Sequence, residues 1–249
     1  MQNINVNDLI DNASFNRFHW NILFWATLII IFDGYDLVIY GVVLPVLMDE
    51  WNLSPQVAGI LGSSALLGMM FGAVGFGMLA DRTGRKSAIL ICLILFSVTT
   101  VINGFAQTPW QFGILRFIAG LGIGGVMPNV VSLVSEYSPK RLRSTMVALM
   151  FSGYAIGGML SAGIGIWIVP NYGWEVMFYI AIFPLLLLPL IIKFLPESVA
   201  FLMAQNQTDE ARGILCKVVP EEHIESTDVL TIPPAKESKA SVYELFRNN

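Results

Sequence analysis

Charge is what this 249-residue chain has least of. Asp, Glu, Lys and Arg together make 13% of it, against about 25% in an average soluble domain. The shortage is uneven: positions 21–195 hold 15 charged side chains, whereas positions 196–249 hold 14. With 55% hydrophobic residues and a mean hydropathy of +0.66, so few charges cannot cover the surface of a water-soluble fold. A soluble enzyme and a disordered chain are thereby excluded. Basic runs are also missing, and the net charge is −4, so no nucleic-acid partner is expected. The two cysteines and two histidines form no cluster with metal-ligand spacing, so neither metal nor cofactor is expected. Cys92 lies in an apolar stretch and Cys216 in the polar tail, which argues against a disulfide between them; His19 and His223 stand alone and read as solvated or capping residues. Positions 1–20 are polar and lack the basic start and cleavage site of a signal peptide.

What is abundant is long apolar runs. A membrane-spanning helix needs about 20 mostly apolar residues. Six such stretches occur, at 21–48, 55–80, 87–106, 110–134, 144–169 and 174–195. The predicted fold class is therefore an all-α membrane protein with the lipid bilayer as its main partner. Its organisation is a short segment 1–20, a six-helix bundle 21–195 and a polar tail 196–249. The turns after the first, third and fifth spans contain no Lys or Arg. Those after the second and fourth contain Arg82, Arg85, Lys86, Lys140, Arg141 and Arg143. The positive-inside rule places this second set, and both chain ends, in the cytoplasm. The tail carries Pro233-Pro234 and no further span; an amphipathic helix is expected near positions 208–218.

Against this background each charge inside a span needs a reason, because insertion costs about 2.5–3.5 kcal/mol per charge at the helix centre. Asp33 and Asp36 in the first span share one helix face, which Tyr40 continues. Burial and mutual repulsion both act against two ionised carboxylates there, which suits a group that loads and releases a proton. Arg116 in the fourth span cannot lose its proton and must pair, face water or hold an anion. A fixed ion pair with Asp33 or Asp36 is the plain structural alternative, and it is compatible with a carrier role. Asn103, Gln107 and Asn129 are candidates for cavity lining, Glu136 is placed to reach the basic turn after the second span, and Glu175 reads as a helix cap. Gly68 and Gly72, Gly120 and Gly124, and Gly153 and Gly157 form small-xxx-small steps that favour close helix packing.

The end of the second span reads Gly77-Met78-Leu79-Ala80-Asp81-Arg82-Thr83-Gly84-Arg85-Lys86. It resembles the loop 2–3 signature of the major facilitator superfamily. Arg116-Phe117-Ile118-Ala119-Gly120-Leu121-Gly122-Ile123-Gly124-Gly125 resembles that superfamily's fourth-helix motif, and Pro196-Glu197-Ser198 with Phe201-Leu202 resembles the element following its sixth helix. Asp33-Gly34-Tyr35-Asp36, with Gly41 and Pro45, resembles the D-G-x-D signature of the aromatic acid:proton symporters, and positions 32–45 look closest to benzoate-transporter-like members. The fifth span lacks the proline of the superfamily's antiporter motif.

The resemblance implies the N-terminal half of a twelve-helix carrier in the inner membrane, with a missing C-terminal half of six helices. It implies a small aromatic acid as substrate and the proton as coupling ion. Asp33, Asp36 and Arg116 would couple proton to substrate, while Tyr40 and Asn129 would line the cavity. Gly77, Asp81, Arg82, Gly84, Arg85, Lys86 and Glu136 would form a cytoplasmic gate. There Asp81 would serve a helix N-terminus or a basic partner in the other half, and Arg85 would pair with Glu136. On this reading the chain is a fragment or a truncated product and does not complete transport alone. A carrier for a sugar acid, phosphate ester or drug, and a non-transporting half, are the competing readings.

Overall fold

The computed structural model describes residues 3–221 and 229–231; His223 and Pro233-Pro234 lie outside the described residues. A strand β1 (Asn3–Asn5) and a short helix α1 (Val6–Asp11) precede five long helices: α2 (Arg17–Glu50), α3 (Pro55–Thr83), α4 (Arg85–Asn103), α5 (Pro109–Tyr137) and α6 (Arg143–Tyr172). The last span is broken into α7 (Glu175–Tyr179), a 3-10 turn (Ile180–Ile182) and α8 (Phe183–Phe194). Two short helices, α9 (Val199–Ala204) and α10 (Thr208–Val218), and a strand β2 (Val229–Thr231) follow. Among the described residues, six helices are long and apolar enough to cross a membrane, with window hydropathies of 1.6 to 2.4.

Local chemistry sets the helix ends. α2 begins four residues before the apolar run because Asn16 and His19 close a capping box: the Asn16 carboxamide accepts from Phe18 N (2.9 Å), and Asn16 N–H donates to His19 Nδ1 (3.2 Å). His19 is therefore a cap but not solvated, since it is fully buried. Ser54 and Thr108 cap α3 and α5, each followed by a proline at the first helical position, where the missing N–H has no role. α3 passes into α4 through Gly84 alone, at φ +91°, a conformation that side chains rarely adopt. The last span breaks at Pro184, which cannot donate back to the Ile180 carbonyl; Phe183 N–H donates to it instead, in 3-10 fashion.

Packing follows the glycines. The two most extensive helix pairs are α3 with α5 and α2 with α6, which exchanging spans 1–3 with spans 4–6 maps onto each other. Along α3 and α5 the glycines are reciprocal: a Cβ on Gly68 or Gly72 would overlap the Phe117 or Leu121 carbonyl, and one on Gly120 or Gly124 would overlap that of Ala65 or Met69. On the other seam, Gly153 and Gly157 face the Thr27 and Ile31 carbonyls. Backbones this close leave no layer of lipid or water between the helices.

Two apolar cores result. One lies toward the basic end of the bundle. It takes in Ile22, Ile29 and Ile30 of α2 with Leu93, Val130 and Tyr137, and extends to α1 (Leu9, Ile10) and α10 (Ala211, Leu215). β1 pairs in parallel with β2, Ile4 opposite Leu230, so the N-terminal segment and the tail close over the same end. The polar composition of the first twenty residues gave no hint of this. The other core is aromatic: Phe112 meets Trp51, Trp174 and Phe178 at ring separations of 5.5–6.1 Å, and Trp174 Nε1 donates to Glu50 at 2.8 Å.

Gly157→Ala is expected to lower the unfolding free energy of the purified chain in detergent by about 1–3 kcal/mol, because the added methyl meets rigid backbone. Gly163→Ala, whose methyl would meet nothing within 4 Å, is expected to leave stability unchanged or raise it by up to about 1 kcal/mol through helix propensity. Denaturant titration followed by circular dichroism compares the two.

Candidate functional site

Asp33 lies at the middle of α2, between the two cores: Ile29 and Ile30 belong to one, Tyr35 and Ile39 to the other. Gly34 lets α2 press against the backbone of Tyr154 on α6. That contact turns the face carrying Asp33 and Asp36 toward α4 and α5, and both carboxylates are buried, at 0% and 1% exposure. Asp36 meets Arg116 of α5, itself 2% exposed: Arg116 Nη1 donates to Asp36 Oδ2 at 3.0 Å, and both terminal nitrogens reach the Asp36 main-chain oxygen at 3.3 Å. The other carboxylate oxygen accepts from the Thr100 hydroxyl of α4 at 2.7 Å. Three helices thus converge on one carboxylate, and both of its oxygens are occupied.

Asp33 differs. Neither of its carboxylate oxygens has a hydrogen-bond partner among the described residues, and neither has Arg116 Nε. One helical turn therefore holds a fully partnered carboxylate and a partnerless one.

The remaining cavity candidates are placed less centrally. Tyr40 donates to the Ala58 carbonyl of α3 at 2.6 Å and its ring lies 5.9 Å from that of Phe112. Asn129 is buried and donates to the Gly125 carbonyl of its own helix at 2.8 Å. Asn103 is buried with neither amide atom partnered, and Gln107 is exposed in the turn between α4 and α5. Glu175 sits in the first turn of α7.

A second polar cluster forms at the basic end. Arg85 Nε approaches Glu136 at 4.0 Å. Glu136 Oε1 accepts from the Ser198 hydroxyl and from Ala200 N–H, both at 2.9 Å. Glu197 Oε1 accepts from Lys86 N–H at 3.0 Å and from Ser198 N–H at 2.9 Å, and Tyr137 donates to the Glu197 carbonyl. Lys86 Nζ donates to the Ile192 carbonyl at 2.6 Å. The Glu197 carboxylate sits where a Cβ on Gly84 would be. It thereby meets the free N–H groups that begin α4, where a negative charge is favoured. Glu197, rather than Asp81, occupies the N-terminus of α4. Asp81 and Arg82 are exposed and pair with no other described side chain, and a Cβ on Gly77 would meet nothing within 4 Å. Thr100, Glu197 and Ser198 are among the participants that sequence reasoning missed. Thr100 carries no signal in a span rich in small hydroxyls. Glu197 and Ser198 were visible only as part of the element after the sixth span.

Comparison with known proteins places this arrangement in context. The pattern of the sugar (and other) transporter family matches residues 22–249. The benzoate transport protein of Acinetobacter baylyi is 52% identical over 242 residues, covering 95% of this chain and 52% of that protein. The 4-hydroxybenzoate transporter PcaK of Pseudomonas putida is 36% identical over 222 residues, covering 88% and 50%. Among solved structures, the xylose transporter XylE from E. coli in a partially occluded inward-open conformation superposes with a TM-score of 0.75 at 25% identity, over 82% of this chain and 54% of that one. The chain belongs to the sugar (and other) transporter family of the major facilitator superfamily. It forms a six-helix N-terminal half of that fold, and the family is one of transporters rather than enzymes. The chain spans about half the length of these relatives.

Replacing only Asp36 with Asn, or only Arg116 with Gln, leaves a buried charge without its partner and is expected to destabilise the chain by about 3–5 kcal/mol. The double variant, which removes both charges, is expected to lose less than either single variant. A double-mutant cycle of denaturant unfolding in detergent measures the coupling; additive losses would show that the pair does not act as a unit.

Proposed function

We propose that this chain is the first half of a proton-coupled carrier that imports an aromatic carboxylate, such as benzoate or a hydroxybenzoate, across the inner membrane. The observation that carries the proposal is the partnered Asp36–Arg116 pair one turn from a partnerless Asp33. The identity to a benzoate transport protein and a 4-hydroxybenzoate transporter supports the substrate class. The basic turns support an orientation with both described ends in the cytoplasm.

The two carboxylates suit different tasks. Asp36 positions Arg116, and Thr100 holds the remaining oxygen. Among the described residues, Asp33 has neither an ion-pair partner nor a hydrogen-bond donor. In such surroundings an ionised carboxylate costs far more than a neutral acid, so Asp33 suits a group that takes up a proton when water reaches it and gives it back on the other side. An incoming carboxylate would compete with Asp36 for Arg116, whose Nε is unpartnered. That exchange requires α2 and α5 to part, because Arg116 is sealed in the present state. One proton moving with one monoanion transfers no net charge, so the pH gradient drives the step. Each additional proton would add about 2.3 kcal/mol per 100 mV. At the basic end, Arg85, Lys86, Glu136, Glu197 and Ser198 would hold the gate on this half, leaving Asp81 and Arg82 available to the second half.

Joined to the second half of the Acinetobacter baylyi benzoate transport protein, the chain is expected to accumulate labelled benzoate in membrane vesicles roughly tenfold per pH unit at one proton per anion. Hydroxybenzoates are expected to compete and sugars not. Asp33→Asn is expected to bring accumulation to about unity while retaining exchange of labelled for unlabelled benzoate. Absence of gradient-driven accumulation by a chimera inserted at normal levels would overturn the transport reading and favour another solute. Retention of proton-driven uptake by both Asp33→Asn and Asp36→Asn would overturn the site assignment alone.

A further inference from the structure

Two seams between the repeats, related by exchanging one repeat for the other, are packed unequally, and the inequality leaves a cavity. Where the third span meets the fourth, α5 packs on α4 through Gly122 and Gly125: a Cβ on Gly122 would lie 2.7 Å from the Cys92 carbonyl and 2.8 Å from Phe96 N, so the two backbones touch and the seam is filled. Exchanging the two repeats maps that seam onto the one between α2 and the last span, and α2 offers no glycine to it. Gly34 faces Tyr154 of α6, and Gly41 meets nothing within 4 Å. Phe32 and Tyr35 stand on that side instead, and the last span is bent by its 3-10 turn and Pro184. The helices stand apart around a cavity of about 200 Å³, closed further by Phe96 of α4 and Leu160 of α6.

Its walls define what it can hold. Asp36 forms part of the lining, but both its carboxylate oxygens are already engaged by Thr100 and Arg116. The Tyr35 hydroxyl donates away to the Met177 carbonyl at 2.9 Å. No free donor is left for an anion, and burying one there without a partner is prohibitive. The other lining side chains are aliphatic or aromatic, and apolar cavities of this kind stay dry; one of about 150 Å³ takes up benzene. One ring fits the present volume. Rings on several sides favour edge and face contacts with an aromatic guest over a straight chain. Two lining residues, Leu160 and Phe183, are 46% and 52% exposed, so the cavity opens on the surface of the six helices, between α6 and the last span.

We infer that this cavity is a binding site for one uncharged single-ring aromatic molecule that enters between α6 and the last span. The site is separate from the charged interior and does not depend on the transport reading. Because Asp36 is part of its wall, a bound ring packs directly against the stretch of α2 that carries the ion pair.

The test uses the 249-residue chain in phosphatidylcholine vesicles, photolysed with 3-phenyl-3-(trifluoromethyl)diazirine, an uncharged single-ring carbene precursor, with adducts mapped by mass spectrometry. Labelling is expected to saturate and to concentrate on Phe32, Phe96, Leu160, Ala181 and Phe183. Excess toluene is expected to suppress it about tenfold, and decane or sodium benzoate at pH 8 is not. Ala181→Trp, which fills the cavity, is expected to abolish the saturable fraction with an unchanged unfolding midpoint. Should that variant fold poorly, Leu160→Trp at the exposed mouth makes the same comparison. Unsaturable labelling spread over the outer surface would overturn the inference. So would competition by decane equal to that by toluene, which assigns the cavity to acyl chains, or competition by benzoate, which assigns it to an anion.

Discussion

The pairing of Asp36 with Arg116 is the constraint around which the rest of the bundle is arranged. The two side chains come from α2 and α5, the leading helices of the two three-helix repeats, so the pair joins the repeats where neither is solvated. Such a pair adds little stability over an apolar replacement of the same shape, since desolvation consumes most of the Coulomb attraction. What it provides is register. A slip of one residue along α2 would turn Asp36 away from both Thr100 and Arg116, leaving three buried polar groups without partners.

That register is possible only because the backbones can come close enough to shield the pair. The glycines of α3 with α5, and of α2 with α6, bring main chains into contact along the two longest seams. In hydrocarbon the usual drive to bury apolar surface is absent, and dispersion at such seams is what holds helices together. Seams and ion pair therefore depend on each other. Without the seams the charges would be wet or lipid-exposed, and without the pair the seams would have no fixed register.

Much of this was legible in the sequence, because in a bilayer the rules are few. Six apolar runs, short turns and an uneven distribution of Lys and Arg suffice to lay out the spans and their direction. The rarity of charge singled out Asp33, Asp36 and Arg116, and the spacing of Gly120, Gly124, Gly153 and Gly157 marked close-packed faces. What could not be read depended on distance or direction. Asn16 and His19 start α2 ahead of its apolar run through a polar cap that hydropathy does not register. β1 and β2 find each other across more than two hundred residues. The choice between Asp33 and Asp36 as partner of Arg116 turns on a rotation of α2 about its axis. That rotation is set by Gly34 against Tyr154, a contact with another span. Thr100 looks like any hydroxyl in an apolar helix until α4 is placed.

The same geometry separates the two carboxylates by role in a way that burial alone does not. Both are sealed, yet one has every oxygen engaged and the other none. Repacking α2 against α4 and α5 loses four hydrogen-bond distances at Asp36 and none at Asp33. Motion between the repeats is therefore resisted at Asp36 and not at Asp33. Under the proposed reading that difference orders the events. A proton can reach Asp33 through a small local opening, whereas Arg116 becomes available only when a competing anion compensates for the loss of Asp36. On that proposal the proton would be admitted before the anion, because only the second step has to break a bond network that spans three helices.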